Sequence, residues 1–555
     1  MRTPAWRVLP ALCALLLVLA PGAVRAEKES PKLPPQPIDA TTPVDHDGQP
    51  VERPKERDPS LQGHEFREAI VEPLSHALDI PDRILDLIGY GRRPVAANVD
   101  AYDEVANSTW FTNRNHVRAL PPEVVRLGGA DSLIVPAAPY TIKSRKTTGV
   151  NAGFTIKDAL GRRWIVKLDK PGYPQLGSGA DVVVARLFWA AGFNVPHDVV
   201  FAFQRDELKI DNNLRKGDKK SGPFGDAELD SLLLRGDRRP DGRYFAQASQ
   251  YLEGKPIGPI SMRSRLEDDP NDLYQHRNRR ELRGLYVLCS WVGSWDTKDQ
   301  QSLGTFVETT DSLGYVRHSL LDFGASLGAA AEGPRPPTRG YEFTVDGKWS
   351  GLRFLTLGFV SEPWRKIPRD VPIPSLGNFE SEVYRPEDFR CLQPHAGFRE
   401  RDTADEYWGA KLVASFSDAQ IAAAIDAVGY EDPRVKPAMF RLLVERRDKV
   451  VRYYFDRIAP LDFFEVRGGG LHFRDLAVDR GLIPPRSYTV EIRRGGAHQR
   501  RALGSTALSL AEFDSGSGDV DLRFHVVGSD AEPVDVTLLQ EGTAWKIAHI
   551  RHASN

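Results

Sequence analysis

One stretch constrains this chain more than any other. From His276 to Trp295 the residues Leu282, Leu285, Tyr286, Cys289 and Val292 recur at helical spacing, so the segment reads as a helix with a buried face. It runs into the polar loop Asp296-Thr-Lys298-Asp-Gln-Gln301. A strand pair follows, and its second strand, Tyr315 to Leu321, ends in Asp322-Phe323-Gly324. Asp-Phe-Gly alone is a common turn tripeptide. Helix, polar loop, hairpin and acidic turn in this order say more. They bring oxygen ligands from two separate loops, which is what surrounding a hard metal ion requires.

Upstream parts come in a matching order. Trp164-Ile-Val-Lys167-Leu168 reads as a strand carrying a lysine. Before it, Gly149-Val-Asn-Ala-Gly153 sits between two strands of a β-rich stretch from Tyr140 to Leu168. After it, Ala180, Val183, Val184, Leu187, Phe188 and Ala191 make one helix stripe, with Asp181 on the same helix. Phe245 to Leu252 reads as a further strand, followed by the turn Glu253-Gly-Lys-Pro256.

This series resembles the protein-kinase-like superfamily, in a motif style close to lipid-kinase-like and secreted kinase-like members. The resemblance spans about residues 138–460. It implies an α+β fold: a two-lobed kinase-like core with an added C-terminal β-sandwich domain. In such a core Gly149 and Gly153 stand for the glycine-rich loop, Lys167 for the phosphate-anchoring lysine and Asp181 for its helix acid. Asp296 would be the catalytic carboxylate and Lys298 would neutralise the moving phosphoryl group. Asp322 and Gln301 would hold Mg2+ or Mn2+ beside ATP or another nucleotide. Gln301 stands where the family has Asn, Asp181 where it has Glu, and the loop has only two glycines. The resemblance therefore implies either a phosphotransferase acting on a protein or small-molecule hydroxyl, or an inactive pseudokinase scaffold that binds partners in the envelope. Phosphoryl and nucleotidyl transfer both stay open.

The remaining sequence sets the frame. Arg2 and Arg7, the short apolar run Val8–Ala20 and Val24-Arg-Ala26 have the three-part layout of a secretory signal peptide over 1–26. The run is shorter than the ~20 residues of a membrane span, so no transmembrane span is expected after its removal. The chain is expected to be exported, to a periplasm or the extracellular space. Residues 27–60 are rich in Pro and charge and read as a disordered tether. Residues 61–137 form an N-terminal extension with short helical stretches between His64 and Ile88. The kinase-like domain covers 138–462. A Pro-rich region, Gly333–Phe398, lies within it. Ser417-Asp-Ala-Gln420 is a capping box, and a long amphipathic helix covers about 437–458. Residues 463–555 show period-2 strands and read as a small immunoglobulin- or fibronectin-like sandwich.

Other chemistries find little support. The 74 basic and 76 acidic residues nearly balance, which argues against a nucleic-acid partner. No His-Glu-x-x-His, Cys-x-x-Cys or Gly-x-Ser-x-Gly occurs. Cys289 and Cys391 follow the signal segment. Export permits a disulfide between them, although Cys289 reads as a core thiol. Asp268-Asp-Pro-Asn-Asp272 and Arg279-Arg-Glu-Leu-Arg283 could meet a cation and a phosphate. Both read better as a polar turn and a paired helix start.

Overall fold

The structure is a computed structural model. It describes residues 46–57, 94–146, 151–216, 222–310, 312–343, 347–360, 362–367, 371–513, 518–542 and 544–552. The expected signal segment, most of the tether and the helical stretches at 64–88 lie outside the described residues.

The tether expectation is corrected at its far end, because residues 46–57 belong to the fold. The backbone N–H and hydroxyl of Thr109 donate to the buried carboxylate of Asp47 at 2.9 and 2.7 Å. Strand β1 (Val51–Glu52) pairs antiparallel with Gly314 and Leu313. These anchors are polar and main-chain, so a reading based on low apolar content misses them.

A six-stranded sheet follows, made of β2 (Tyr140–Arg145), β3 (Gly153–Lys157), β4 (Arg163–Leu168), β5 (Asp198–Phe203), β6 (Leu208–Ile210) and β7 (Tyr244–Gln250). Its order is β5-β7-β4-β3-β2-β6, antiparallel except for β2 with β6. Trp164, Val166 and Leu168 of β4 enter a core with Phe154, Ile156 and Phe203. Because side chains alternate along a strand, Lys167 leaves on the opposite face. That face meets helix α1 (Gly177–Ala191), which is buried along nearly its whole length. This is the small lobe. Leu252-Glu-Gly254 leads from it to β8 (Lys255–Gly258).

The large lobe is built on α2 (Arg280–Val292), every residue of which is buried. The sequence stripe suggests one buried face. The structure covers the other with α3 (Thr403–Ala414) and α5 (Val435–Phe455), and α4 (Asp418–Asp426) packs against α5. The backbones of α2 and α3 meet at two glycines. A Cβ on Gly409 would lie 2.5 Å from the Gly284 carbonyl, and one on Gly284 would lie 2.7 Å from the Trp408 ring. The arginines at the start of α2 are structural. Arg280 and Arg283 each reach Asp405 at 3.2 Å. The capping box forms as expected, with Ser417 and Gln420 exchanging side-chain-to-backbone bonds. Strands β9 (Ser302–Thr310) and β10 (Leu313–Leu320) join β1 and β8 in a sheet of order β1-β10-β9-β8. A short pair, β11 (Ala329–Ala330) and β12 (Gly333–Pro334), opens the Pro-rich region. Cys289 and Cys391 are free and buried. Both thiols lie near Thr297, at 3.4 Å from its hydroxyl and 3.3 Å from its carbonyl respectively. Burial pushes the Cys289 thiol up to about 12.

The C-terminal domain has two antiparallel sheets. One is β13 (Leu461–Arg467), β14 (Gly470–Asp475) and β17 (Ala507–Ser509), in the order β13-β14-β17. The other holds β15 (Tyr488–Arg494), β16 (Ala497–Leu503), β18 (Val520–Val526), β19 (Val534–Glu541) and β20 (Ala544–His552), in the order β16-β15-β18-β19-β20. The chain crosses between the sheets after β14, after β16 and after β17. Phe464 and Phe473 from one sheet pack on Phe524 from the other, with ring centroids 5.3 and 5.2 Å apart. The domain joins the large lobe through buried polar contacts. Lys411 reaches Asp462 at 2.8 Å and also pairs with Glu104. His552 lies 3.0 Å from Asp103 and 3.1 Å from the Leu461 carbonyl. With an acceptor at each ring nitrogen, the imidazole favours its charged form. Burial opposes that charge, but Asp103 and Asp462 outweigh it and raise the pKa.

The sandwich has its own core, which begins at Ala459 and Leu461. The fragment 459–552 expressed alone is therefore expected to unfold cooperatively in urea. Phe524→Ala should lower its stability by about 3–5 kcal/mol, as the emptied site is ringed by aromatics. A non-cooperative transition would show that the domain depends on the large lobe.

Candidate active site

Lys167 is the centre of the cleft between the lobes. Its ammonium donates to Asp322 Oδ1 at 2.8 Å and lies 3.7 Å from Asp181 Oδ2. Three elements meet here: β4 carries the lysine, α1 the buried acid, and the turn after β10 the second acid. Asp181 is fixed further by Phe323, whose backbone N–H donates to Oδ1 at 2.5 Å. Phe323 itself is buried edge-on against Phe188 of α1, with centroids 5.3 Å apart. Asp322 takes a left-handed backbone conformation, φ 58°. Gly324 passes so near that a Cβ there would lie 3.0 Å from Asp181 Oδ2. The Asp-Phe-Gly turn is thus locked to α1 from both sides.

The two acids differ in environment. Asp181 is 3% exposed, whereas the Asp322 side chain is 49% exposed to the cleft. Burial raises the Asp181 carboxyl; Lys167 opposes this, and the nearby Asp322 charge adds to it. Burial also acts on Asp322, but Lys167 more than offsets it and holds this carboxyl below the ordinary range. Two carboxylates share one ammonium.

The polar loop arrives from below. Asp296 accepts from Gln301 Nε2 at 3.3 Å and lies 3.2 Å from the Lys298 ammonium. Leu321 N–H donates to the Gln301 carbonyl at 2.8 Å, which ties this loop to the strand leading into Asp322. Burial raises the Asp296 carboxyl, with Lys298 opposing. Gln301 Oε1 is buried without a hydrogen-bond partner. A bare amide oxygen is a fitting donor for a hard divalent cation.

The structure therefore gathers Lys167, Asp181, Asp296, Lys298, Gln301 and Asp322 into one cleft. Gly149 lies outside the described residues. Gly153 begins β3 opposite Lys167, where a Cβ would come within 2.2 Å of the Val166 carbonyl. Strand crowding accounts for this glycine without any phosphate cradle. Two site residues escape the sequence reading. Lys146 follows β2, and burial and Lys167 lower its pKa. Asp198, at the start of β5, is fully buried within electrostatic reach of Lys167, and burial raises it to about 6. Lys146 sits in the run Lys143-Ser-Arg-Lys146, which reads as surface. Asp198 opens a strand, where an acid signals a turn.

No family model and no curated protein matches the chain. Among solved structures, the Helicobacter pylori proinflammatory kinase CtkA is similar over 57% of this chain and 95% of its own, at 10% identity and TM-score 0.32. A Golgi casein kinase with Mn/ADP bound is similar over 57% and 73%, at 12% identity and TM-score 0.25. A second Golgi casein kinase structure matches over 76% and 96%, at 12% identity and TM-score 0.26. At these identities and TM-scores the likenesses carry no argument about this chain. Among the described residues no helix is long and apolar enough to cross a membrane.

Asp181 has a mechanical task that can be separated from its charge. Asp181→Ala leaves the Phe323 N–H buried and unpaired, and should cost about 1–3 kcal/mol in urea unfolding. Asp181→Asn keeps an oxygen for that N–H and should cost distinctly less. Equal losses in the two variants would show that the hydrogen bond does not hold the turn.

Proposed function

We propose that this protein is an exported kinase-like phosphotransferase, using ATP and Mg2+ or Mn2+ to phosphorylate a hydroxyl on a protein or small molecule. The observation that carries this is the ammonium of Lys167 held between Asp181 and Asp322, with the bare oxygen of Gln301 nearby. Export rests on the N-terminal sequence alone.

Each residue then has a task. Lys167 binds donor phosphate oxygens, and Asp181 fixes its direction. Asp322 and Gln301 would hold the metal, which neutralises charge on the phosphates when bound. Asp296 accepts the proton of the acceptor hydroxyl as its oxygen attacks the terminal phosphorus. The bond from that phosphorus to the bridging oxygen breaks, and the nucleoside diphosphate leaves with the electron pair. Lys298 offsets charge on the phosphoryl oxygens as it passes. An asparagine-to-glutamine exchange at 301 lengthens one ligand arm, and the shorter Asp181 is matched by its close approach to Lys167.

The inactive-scaffold reading makes a different forecast. An active cleft should show a thermal shift with ATP and Mn2+ that neither gives alone. Asp322→Asn should abolish that shift while leaving the unliganded melting temperature near its starting value. Absence of any nucleotide shift in the native chain would favour the scaffold.

The pH profile tests Asp296. A base works only when ionised, so kcat should fall as pH drops through its raised pKa. Asp296→Asn should lower kcat by roughly 10^2–10^4-fold and flatten the profile, with nucleotide binding kept. An unchanged profile in that variant would remove Asp296 as the base.

A further inference from the structure

A second cluster lies outside the cleft. Asp272, His276 and His318 bring one ligand atom each within 4.8 Å of one another. All three residues are buried, at 3%, 0% and 3% exposure. They come from different places: Asp272 ends the acidic turn Asp268–Asp272, His276 precedes α2, and His318 lies on β10.

The hydrogen bonds around the cluster fix which ring nitrogens face inward. Thr109 gives its hydroxyl proton to Asp47, so toward His318 its oxygen is an acceptor at 2.9 Å. His318 Nδ1 therefore carries the hydrogen, and Nε2 keeps its lone pair. That Nε2 is buried with no hydrogen-bond partner, and so is Oδ1 of Asp272. His276 Nδ1 lies 2.5 Å from the Ser261 carbonyl and donates to it, which turns Nε2 toward Asp272 Oδ2 at 2.6 Å. Each histidine thus has its outer nitrogen held by an oxygen and its inner nitrogen aimed at the cluster. This outer-shell pattern sets tautomer and ring direction in histidine metal sites.

Charge and packing favour a cation here. The Arg279 guanidinium is met by Asp47 at 3.9 Å, Asp272 at 3.8 Å and Glu281 at 3.1 Å. Three buried carboxylates around one guanidinium leave a negative excess in the interior, where charge must be compensated. Trp110 walls the cluster, stacked on His318 at 4.1 Å and edge-on to His276 at 4.8 Å.

We propose that Asp272, His276 and His318 form a binding site for one divalent transition-metal ion, for which Zn2+ is the best match. Two imidazole nitrogens and a carboxylate suit Zn2+ and disfavour Mg2+ and Ca2+, which take oxygen. The carboxylate can supply both oxygens and so complete four donors. The ion takes the place of the proton between His276 and Asp272, and that proton leaves to solvent. Zinc bonds of about 2.0–2.1 Å place neighbouring donors roughly 3.3 Å apart, so His276 and Asp272 move apart slightly. The site is dry and closed, which makes it structural. It pins β10, the strand that ends at Asp322, to the start of α2. Through Thr109 and Asp47 it also holds the N-terminal segment.

The test uses the full chain without nucleotide. Protein stripped with chelator, exposed to Zn2+ and dialysed should retain a single equivalent by elemental analysis, and should melt at a higher temperature than the stripped form. Asp322→Asn, which alters the cleft, should retain the same equivalent. His318→Gln should lose it. Co2+ added to the stripped native chain should give the intense visible absorption of a low-coordinate nitrogen–oxygen site, a readout that does not depend on the variant folding. Three results would each overturn the proposal: no retained metal, retention lost in Asp322→Asn but kept in His318→Gln, or a Co2+ spectrum like that of the hydrated ion.

Discussion

One ammonium group organises this molecule. Lys167 extends from a central strand of the small lobe. It meets an acid from α1 and an acid from the turn after β10, so three elements remote in sequence must come into register around it. The Lys167 side chain is 12% exposed, and a buried lysine is tolerated only when its charge is answered. The lobes are thus held at a fixed relation by an electrostatic need, and the cleft between them is the by-product.

The same economy appears in how the acids are graded. Asp181 is sealed and hydrogen-bonded to main chain, which suits a part that orients. Asp322 is half open, which suits a part that meets a ligand. Residue type alone cannot distinguish them. Their environments do, through one backbone N–H and one phenylalanine ring that close over the first and leave the second facing the cleft.

Much of this was legible in the sequence. Lys167, Asp181, Asp296, Lys298, Gln301 and Asp322 could be picked out from their order and spacing along the chain: a strand lysine, a helix acid, an Asp-x-Lys loop and an Asp-Phe-Gly turn. The sandwich was legible from strict alternation in β15, β18 and β19. What escaped is instructive. Asp198 and Lys146 act through space and leave no local pattern. The glycine at 153 looked like a loop residue and is required by a neighbouring carbonyl. The N-terminal segment 46–57 has the composition of a tether, yet Asp47 and two strand residues anchor it by hydrogen bonds that no hydropathy pattern reveals. The full burial of α2 was hidden for a related reason. Its arginines read as a paired helix start, but their partners Asp103 and Asp405 lie far away in sequence.

The short strand β1 has a consequence for how this chain can be handled. It caps the outer edge of β10, whose other neighbour is β9. A chain cut after residue 57 would leave the main-chain groups of Leu313 and Gly314 without their partner, on an edge ready to accept a strand from another molecule. Two residues of the leader region thus act as a stopper against self-association. The boundary of a well-behaved core lies before His46, well ahead of the first recognisable motif.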